Sequence, residues 1–138
     1  MKITEVQTIR VAVMRHGELG YLVIVKTDAG IYGLGEVAAD CHPLAVAHCI
    51  RSMELTGRDP MRIEAFWQEH HQGQFWRGGP IWTSAISGIE QALWDIKGKA
   101  LGAPVYDLVG GALRDRIKLY THTRFGTETP EEFAQSAI

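Results

Sequence analysis

The chain has 138 residues, 46% of them hydrophobic, with 14 Lys and Arg against 16 Asp and Glu for a formal charge of -2. That is one domain's worth of chain with enough apolar material for a core, and the near balance of charge gives no footprint for nucleic acid or for an acidic membrane. No apolar run is long enough to span a bilayer and Met1-Lys2-Ile3-Thr4 carries no leader-like h-region, so a cytoplasmic protein is expected; the two cysteines, Cys41 and Cys49, are too few for a disulfide scaffold and read as free thiols.

In chain order, Ile3, Val6, Thr8, Val11 and Val13 alternate imperfectly as in a half-buried strand, and 21–27 form a second strand rich in β-branched residues. The intervening 14–20, with two glycines and several charges, is a loop. Asp28-Ala29-Gly30 signals a turn into a third strand, 31–37, completing an antiparallel meander. Gly33 and Gly35 weaken that strand and mark a close approach of another backbone.

From Pro43 the period lengthens. Leu44, Ala47, Ile50, Met53 and Leu55 suit one helix ended near Gly57 to Pro60, and Ile63, Phe66 and Trp67 a second, whose end at His70-His71 reads as solvated. The clearest helix is expected to start near Thr83-Ser84, where a hydroxyl caps it, and carries Ile86, Ile89, Leu93, Ile96 and Ala100 on one face. Gly102 fits the left-handed residue after its last turn, and Pro104 cannot continue it. A strand is expected over 116–122, and Thr129-Pro130-Glu131-Glu132 combines a cap, a first-position proline and a carboxylate in the first turn of a further helix.

The run Ala85-Ile86-Ser87-Gly88-Ile89-Glu90-Gln91-Ala92-Leu93-Trp94-Asp95-Ile96-Lys97-Gly98-Lys99, with Pro104-Val105 and Leu108-Val109-Gly110, resembles the amino-terminal signature of the mandelate racemase/muconate lactonizing family of the enolase superfamily. Phe75-Trp76-Arg77-Gly78-Gly79-Pro80 and Gly33-Leu34-Gly35-Glu36 support the resemblance, which covers essentially the whole chain. It implies an α+β fold: a capping domain over 1–114, with a three-stranded antiparallel meander and a helical bundle, then the first β-α unit of a truncated (β/α)7β barrel over 115–138. The signature itself reads as structural: Asp95 and Lys99 form an i,i+4 pair, and Glu90 and Asp95 have solvated or structural roles.

The implied chemistry is removal of a proton α to a carboxylate, with Mg2+ stabilising the enediolate. The family's catalytic and metal-binding residues belong to later barrel strands, so no catalytic residue and no metal ligand is carried over onto this chain, whose Mg2+ ligands are expected beyond residue 138. Within the family the closest resemblance is to sugar-acid dehydratases of the galactonate and mannonate type, hydro-lyases giving 2-keto-3-deoxy acids. Where the mannonate type carries an Asn and a pair of arginines, this chain has Asp40 and Arg77-Gly78, which favours a galactonate-like or other aldonate or aldarate substrate.

Four residues are candidate substrate contacts. His122 ends the first barrel strand, and the carboxyl ends of barrel strands face the active site. Arg15 and His16 lie on the loop where the cap is expected to close over the barrel mouth, suited to a polyol or distal carboxylate. Asp40, on the second cap loop, would accept from sugar hydroxyls. The small-molecule sugar acid is the expected partner, in a homo-oligomer like many relatives.

Other readings compete. Cys41-His42 and His48-Cys49 are zinc-type residues without zinc-type spacing; His48 is placed on a helix surface and Cys49 in its core. A racemase, epimerase or cycloisomerase of the same family would differ in acid and base residues outside this chain. A non-catalytic cap module would expose the apolar surface that a cap buries on its barrel, and would self-associate.

Overall fold

The structure is a computed structural model that describes residues 1–12, 19–37, 42–119 and 129–131. Three strands, β1 (Ile3–Ala12), β2 (Leu19–Thr27) and β3 (Tyr32–Val37), form an antiparallel sheet in the order β1-β2-β3, the expected meander. The imperfect alternation of β1 has a physical cause. Ile3 and Val6 are an odd number of residues apart, and a register shift between Ile3 and Glu5 brings both onto the core side. Gly30, with φ 75°, closes the β2–β3 turn, where the Thr27 N–H and hydroxyl both donate to the Ile31 carbonyl at 3.1 and 2.7 Å.

Helix α1 (Pro43–Ser52) follows, then α2 (Ile63–Trp67), which runs on as a π-helical turn over Gln68–Gln72. Helix α3 (Pro80–Leu101) and the single turn α4 (Val105–Leu108) complete the described elements. At 22 residues, α3 spans about 33 Å and contacts β2, β3, α1, α2, the π-helical turn and α4. Its stripe Ala85, Ile86, Ile89, Ala92, Leu93 and Ile96 packs with Val23, Val25 and Val37 of the sheet and Val46, Ala47 and Ile50 of α1 in one core.

Several boundaries differ from expectation. Leu44 is 73% exposed and Val46 takes its place in the buried stripe of α1; the helix ends at Ser52, and Leu55 reaches the core from beyond it, after Glu54 at φ 49°. Helix α3 begins at Pro80, not at Thr83-Ser84, because proline fits the first helical position and Gly79 (φ 84°, ψ 146°) supplies the turn before it. The Thr83 hydroxyl therefore donates back to the Gly79 carbonyl at 2.7 Å as an interior residue. Its far end is as expected: Gly102 is left-handed at φ 64°, and the Ala103 and Gly102 N–H groups donate to Gly98 and Lys99 carbonyls in a Schellman pattern.

His70 is not a solvated helix end. It is 4% exposed, with Nδ1 at 2.9 Å from the Phe66 carbonyl and its ring between Phe66 and Trp82, whose indole N–H donates to the His70 carbonyl at 2.7 Å. His70 follows Phe66 by four residues on the face that buries Ile63 and Phe66, a burial that its polar ring alone does not suggest. His71 is half-buried and stacks on Trp67. His48 is exposed and Cys49 packs against the core, as read.

Of the strand expected over 116–122, residues 116–119 are described; they are exposed and form no ladder, since β1, β2 and β3 make up the whole described sheet and a strand needs a neighbour to satisfy its backbone. Pro130 and Glu131 are helical, in keeping with the start expected at Thr129.

Candidate substrate-facing end of the cap

The feature that organises the site is the contact between β3 and α3. Along β3 the buried positions are Gly33, Gly35 and Val37. A Cβ on Gly33 would lie 1.9 Å from the Ala92 carbonyl oxygen and one on Gly35 1.9 Å from that of Gly88, while one on Gly88 would meet the Val37 side chain at 2.9 Å. Strand and helix thus touch backbone to backbone, which is the close approach the two strand glycines signalled.

That proximity lets α3 side chains pair the outer edge of β3. Gln91 Oε1 accepts from the Glu36 N–H at 3.0 Å and its Nε2 donates to the Glu36 carbonyl at 3.4 Å; Asp95 Oδ2 accepts from the Leu34 N–H at 2.9 Å; Lys99 Nζ donates to the Tyr32 carbonyl at 2.8 Å. Residues four apart on a helix step along its face by about 6 Å, close to two residues of strand, so the three side chains stand in for a fourth strand and cover the edge. Lys99 also donates to Asp95 at 2.7 Å. Asp95 therefore has a structural role, and Gln91 is a member of the ladder that the apolar pattern did not reveal; a polar stripe at 91, 95 and 99 facing Gly-x-Gly is the signal that would have found it.

The strand directions put the described ends Ala12, Leu19 and Val37 at one end of the sheet. Ala12 pairs with Leu19 and Tyr21 with Val37; these described residues flank 13–18 and precede 38–41 in sequence. Arg15 and His16 belong to the first and Asp40 to the second; all three lie outside the described residues, as does His122. At this end α3 also begins, and an open groove of about 500 Å3 is lined by Glu36, Thr83, Ser84, Ser87 and Gln91. His42, which re-enters after 38–41, is left-handed at φ 51° and ψ 68°, a conformation that costs a non-glycine residue about 1 kcal/mol or more.

The loop entering α3 adds an aromatic pair. Phe75 and Trp76 meet edge to face with centroids 5.0 Å apart and are 87% and 86% exposed. Arg77 Nε donates to the Gln74 carbonyl at 3.3 Å, and Gly78 and Gly79 turn the chain into the helix. At the opposite end of the sheet, a cavity of about 460 Å3 lies beside Lys2, Asp59, Arg62 and the bidentate pair Arg58–Glu69, at 2.5 and 2.8 Å. The Arg58 guanidinium holds the Glu69 carboxyl below its ordinary range and is itself raised by it. Among the described residues no three His, Cys, Asp or Glu side chains converge to hold a metal, so the described part does not fit a Mg2+ site.

Residues 2–110 match the family model described as mandelate racemase/muconate lactonizing enzyme, N-terminal domain. The chain belongs to that family. It is 45% identical over 122 residues to a D-galactonate dehydratase of Verminephrobacter eiseniae, covering 87% of this chain and 31% of that protein, and 44% identical over 137 residues to one of Variovorax paradoxus, covering 98% and 34%. Among solved structures, a protein proposed to be a dehydratase from Mesorhizobium loti superposes with a TM-score of 0.86 at 43% identity over 99% of this chain and 37% of its own. An enolase from Pantoea ananatis with bound D-gluconate and Mg superposes with a TM-score of 0.72 at 42% identity over 82% and 28%. The chain spans about a third of the length of these relatives, and its sheet and helices are those of an enolase-superfamily capping domain.

Proposed function

We propose that this chain is the amino-terminal part of a Mg2+-dependent acid-sugar dehydratase, with the cap over 1–114 and the barrel starting at 115. The 44% identity to a D-galactonate dehydratase over 98% of this chain carries this reading, and the gluconate-bound relative supports an aldonate or similar acid as substrate. In the reaction a base removes the proton α to the carboxylate, the hydroxyl on the next carbon leaves as water on protonation, and the enol tautomerises to a 2-keto-3-deoxy acid. The base, the acid and the Mg2+ ligands belong to the barrel, and residues 1–138 alone are inactive.

The cap's part is recognition. Arg15 and His16 on one loop and Asp40 on the other supply a cation and hydrogen-bonding groups for carboxylate and hydroxyls, and His122 contributes from the first barrel strand. The whole protein is a cytoplasmic homo-oligomer in this reading; no described helix is long and apolar enough to cross a membrane.

The test is an assay of the complete protein with Mg2+ against aldonates and aldarates, following 2-keto-3-deoxy products. Turnover abolished by EDTA is the expected result. A protein that carries the metal carboxylates and dehydrates nothing on the panel overturns the reading and leaves a racemase, epimerase or cycloisomerase of the same family.

A further inference from the structure

The cavity at the end of the sheet away from Val37 contains none of the recognition groups named above. It holds about 460 Å3 between the start of β1, the turn that follows Leu55, α2 with its π-helical turn, and α3, a volume in the range of small-molecule sites. Its floor is apolar: Ile3, Leu55, Phe66 and Leu93 line it and are buried. Its rim is charged, with Lys2, Arg58 and Arg62 on one side of the balance and Asp59 and Glu69 on the other. These charges are not equivalent. Arg58 and Glu69 neutralise each other through two hydrogen bonds, and Asp59 Oδ1 accepts from the Met61 N–H at 3.0 Å. The Lys2 ammonium and the Arg62 guanidinium enter no ion pair among the described residues. One carboxylate, already engaged by a backbone donor, thus stands against two cations without a counter-ion, over an apolar floor.

We infer that this cavity is a binding site for a small monocarboxylate with a compact apolar body. Arg62 supplies a planar fork of donors for the carboxylate and Lys2 a second positive charge, and the apolar body covers the floor beside Phe66 and Leu93. A sugar acid is excluded by the same floor, because its hydroxyls need partners along their whole length that Ile3, Leu55, Phe66 and Leu93 do not provide. A phosphate of higher charge fits less well, since Asp59 and Glu69 share the rim and repel each added negative charge. The inference is independent of the proposed dehydratase reading.

The experiment titrates the complete protein with benzoate as the probe, followed by ligand-observed NMR. Benzoate is expected to bind with a Kd of about 1 mM or tighter, and benzyl alcohol, which keeps the ring and lacks the charge, about tenfold more weakly. Excess D-gluconate is expected to leave benzoate in place. Arg62→Gln and Lys2→Gln, both at exposed positions, are each expected to weaken benzoate about three- to tenfold. Ala65→Glu, which puts a carboxylate at an exposed helix position lining the cavity, is expected to abolish binding, and it carries the comparison where a cation variant does not fold. No benzoate bound up to about 10 mM, an affinity that none of the three substitutions lowers, equal affinity for benzyl alcohol, or displacement by D-gluconate overturns the inference. A complete protein that binds benzoate as expected and dehydrates no sugar acid overturns the functional reading alone.

Discussion

Gly35 of β3 and Gly88 of α3 face each other so closely that a Cβ on Gly35 would lie 1.9 Å from the Gly88 carbonyl oxygen. The obstacle is helix backbone, which cannot rotate aside as a side chain would. Gly35→Ala is therefore expected to force strand and helix apart, at a cost of about 3 kcal/mol or more, the upper range for overpacking. Ser87→Ala, on the exposed side of α3, should stay within about 0.5 kcal/mol. Urea denaturation of the two variants measures both, and a Gly35→Ala loss as small as that of Ser87→Ala would show that the layers have room to spare.

The edge-covering ladder predicts that Asp95 matters more through Leu34 than through Lys99. The Asp95 and Lys99 side chains are 31% and 42% exposed, so their mutual attraction is screened and should couple by no more than about 0.5 kcal/mol. Asp95→Ala additionally strands the Leu34 N–H and should cost about 1 kcal/mol. A double-mutant cycle with Lys99→Met separates the two effects. Coupling as large as the full Asp95→Ala loss would contradict the edge-pairing account.

The sheet order, Gly102 and the glycine contact were legible because each depends on neighbours in sequence: alternation, a turn at Asp28-Ala29-Gly30, a left-handed residue before Pro104. The misjudged features depend on packing at a distance. Leu44 fits the helical period as well as Val46 does, and only the position of α3 decides which is buried. His70 shares the helical face of Ile63 and Phe66, but that an imidazole is buried there depends on the Phe66 carbonyl and on Trp82, twelve residues away. The candidate site divides in the same way, for Arg15, His16 and Asp40 were read from a resemblance, whereas the pairing of Gln91 with Glu36 needs β3 and α3 in register.

The burial of His70 predicts an unequal response at adjacent histidines. A carbonyl can only accept, so the Nδ1 facing the Phe66 oxygen carries the proton. His70→Ala removes that bond and the ring packed against Phe66 and Trp82, for an expected loss of about 2 kcal/mol or more. His71→Ala gives up a half-exposed stack on Trp67 and should cost about 1 kcal/mol or less. Equal, small losses in thermal or urea melts would restore the solvated-end reading.

The Arg58–Glu69 pair predicts a modest acid dependence. Glu69 has its carboxyl lowered from the ordinary 4.5, first by its hydrogen bonds to Arg58. A lowered folded-state value means that the stability it confers is complete above pH 4.5 and declines as pH falls through the folded-state value. The side chains are 42% and 51% exposed, so solvent screening limits the contribution to about 1 kcal/mol or less. Glu69→Gln should narrow the gap between melting temperatures at neutral and acid pH, and an identical gap in wild type and variant would count against the pair.

The segment that follows α4 predicts how the 138-residue polypeptide behaves by itself. Leu113, Ile117 and Leu119 are 89%, 77% and 85% exposed, and Tyr106, Leu113 and Ile117 line a shallow apolar concavity of about 730 Å3. Large apolar side chains exposed to this degree, although interleaved with Arg114, Asp115, Arg116 and Lys118, favour association over solvation. The isolated polypeptide should therefore sediment as oligomers at tens of micromolar, about the range in which weak apolar contacts hold, and bind a hydrophobic dye. Replacing Leu113, Ile117 and Leu119 together by Ser should shift it to monomer with its melting temperature unchanged, because none of the three belongs to the core built by α3. Sedimentation velocity decides the matter: a wild-type polypeptide that is monomeric throughout this range would mean that the exposed leucines and isoleucine find partners within their own chain.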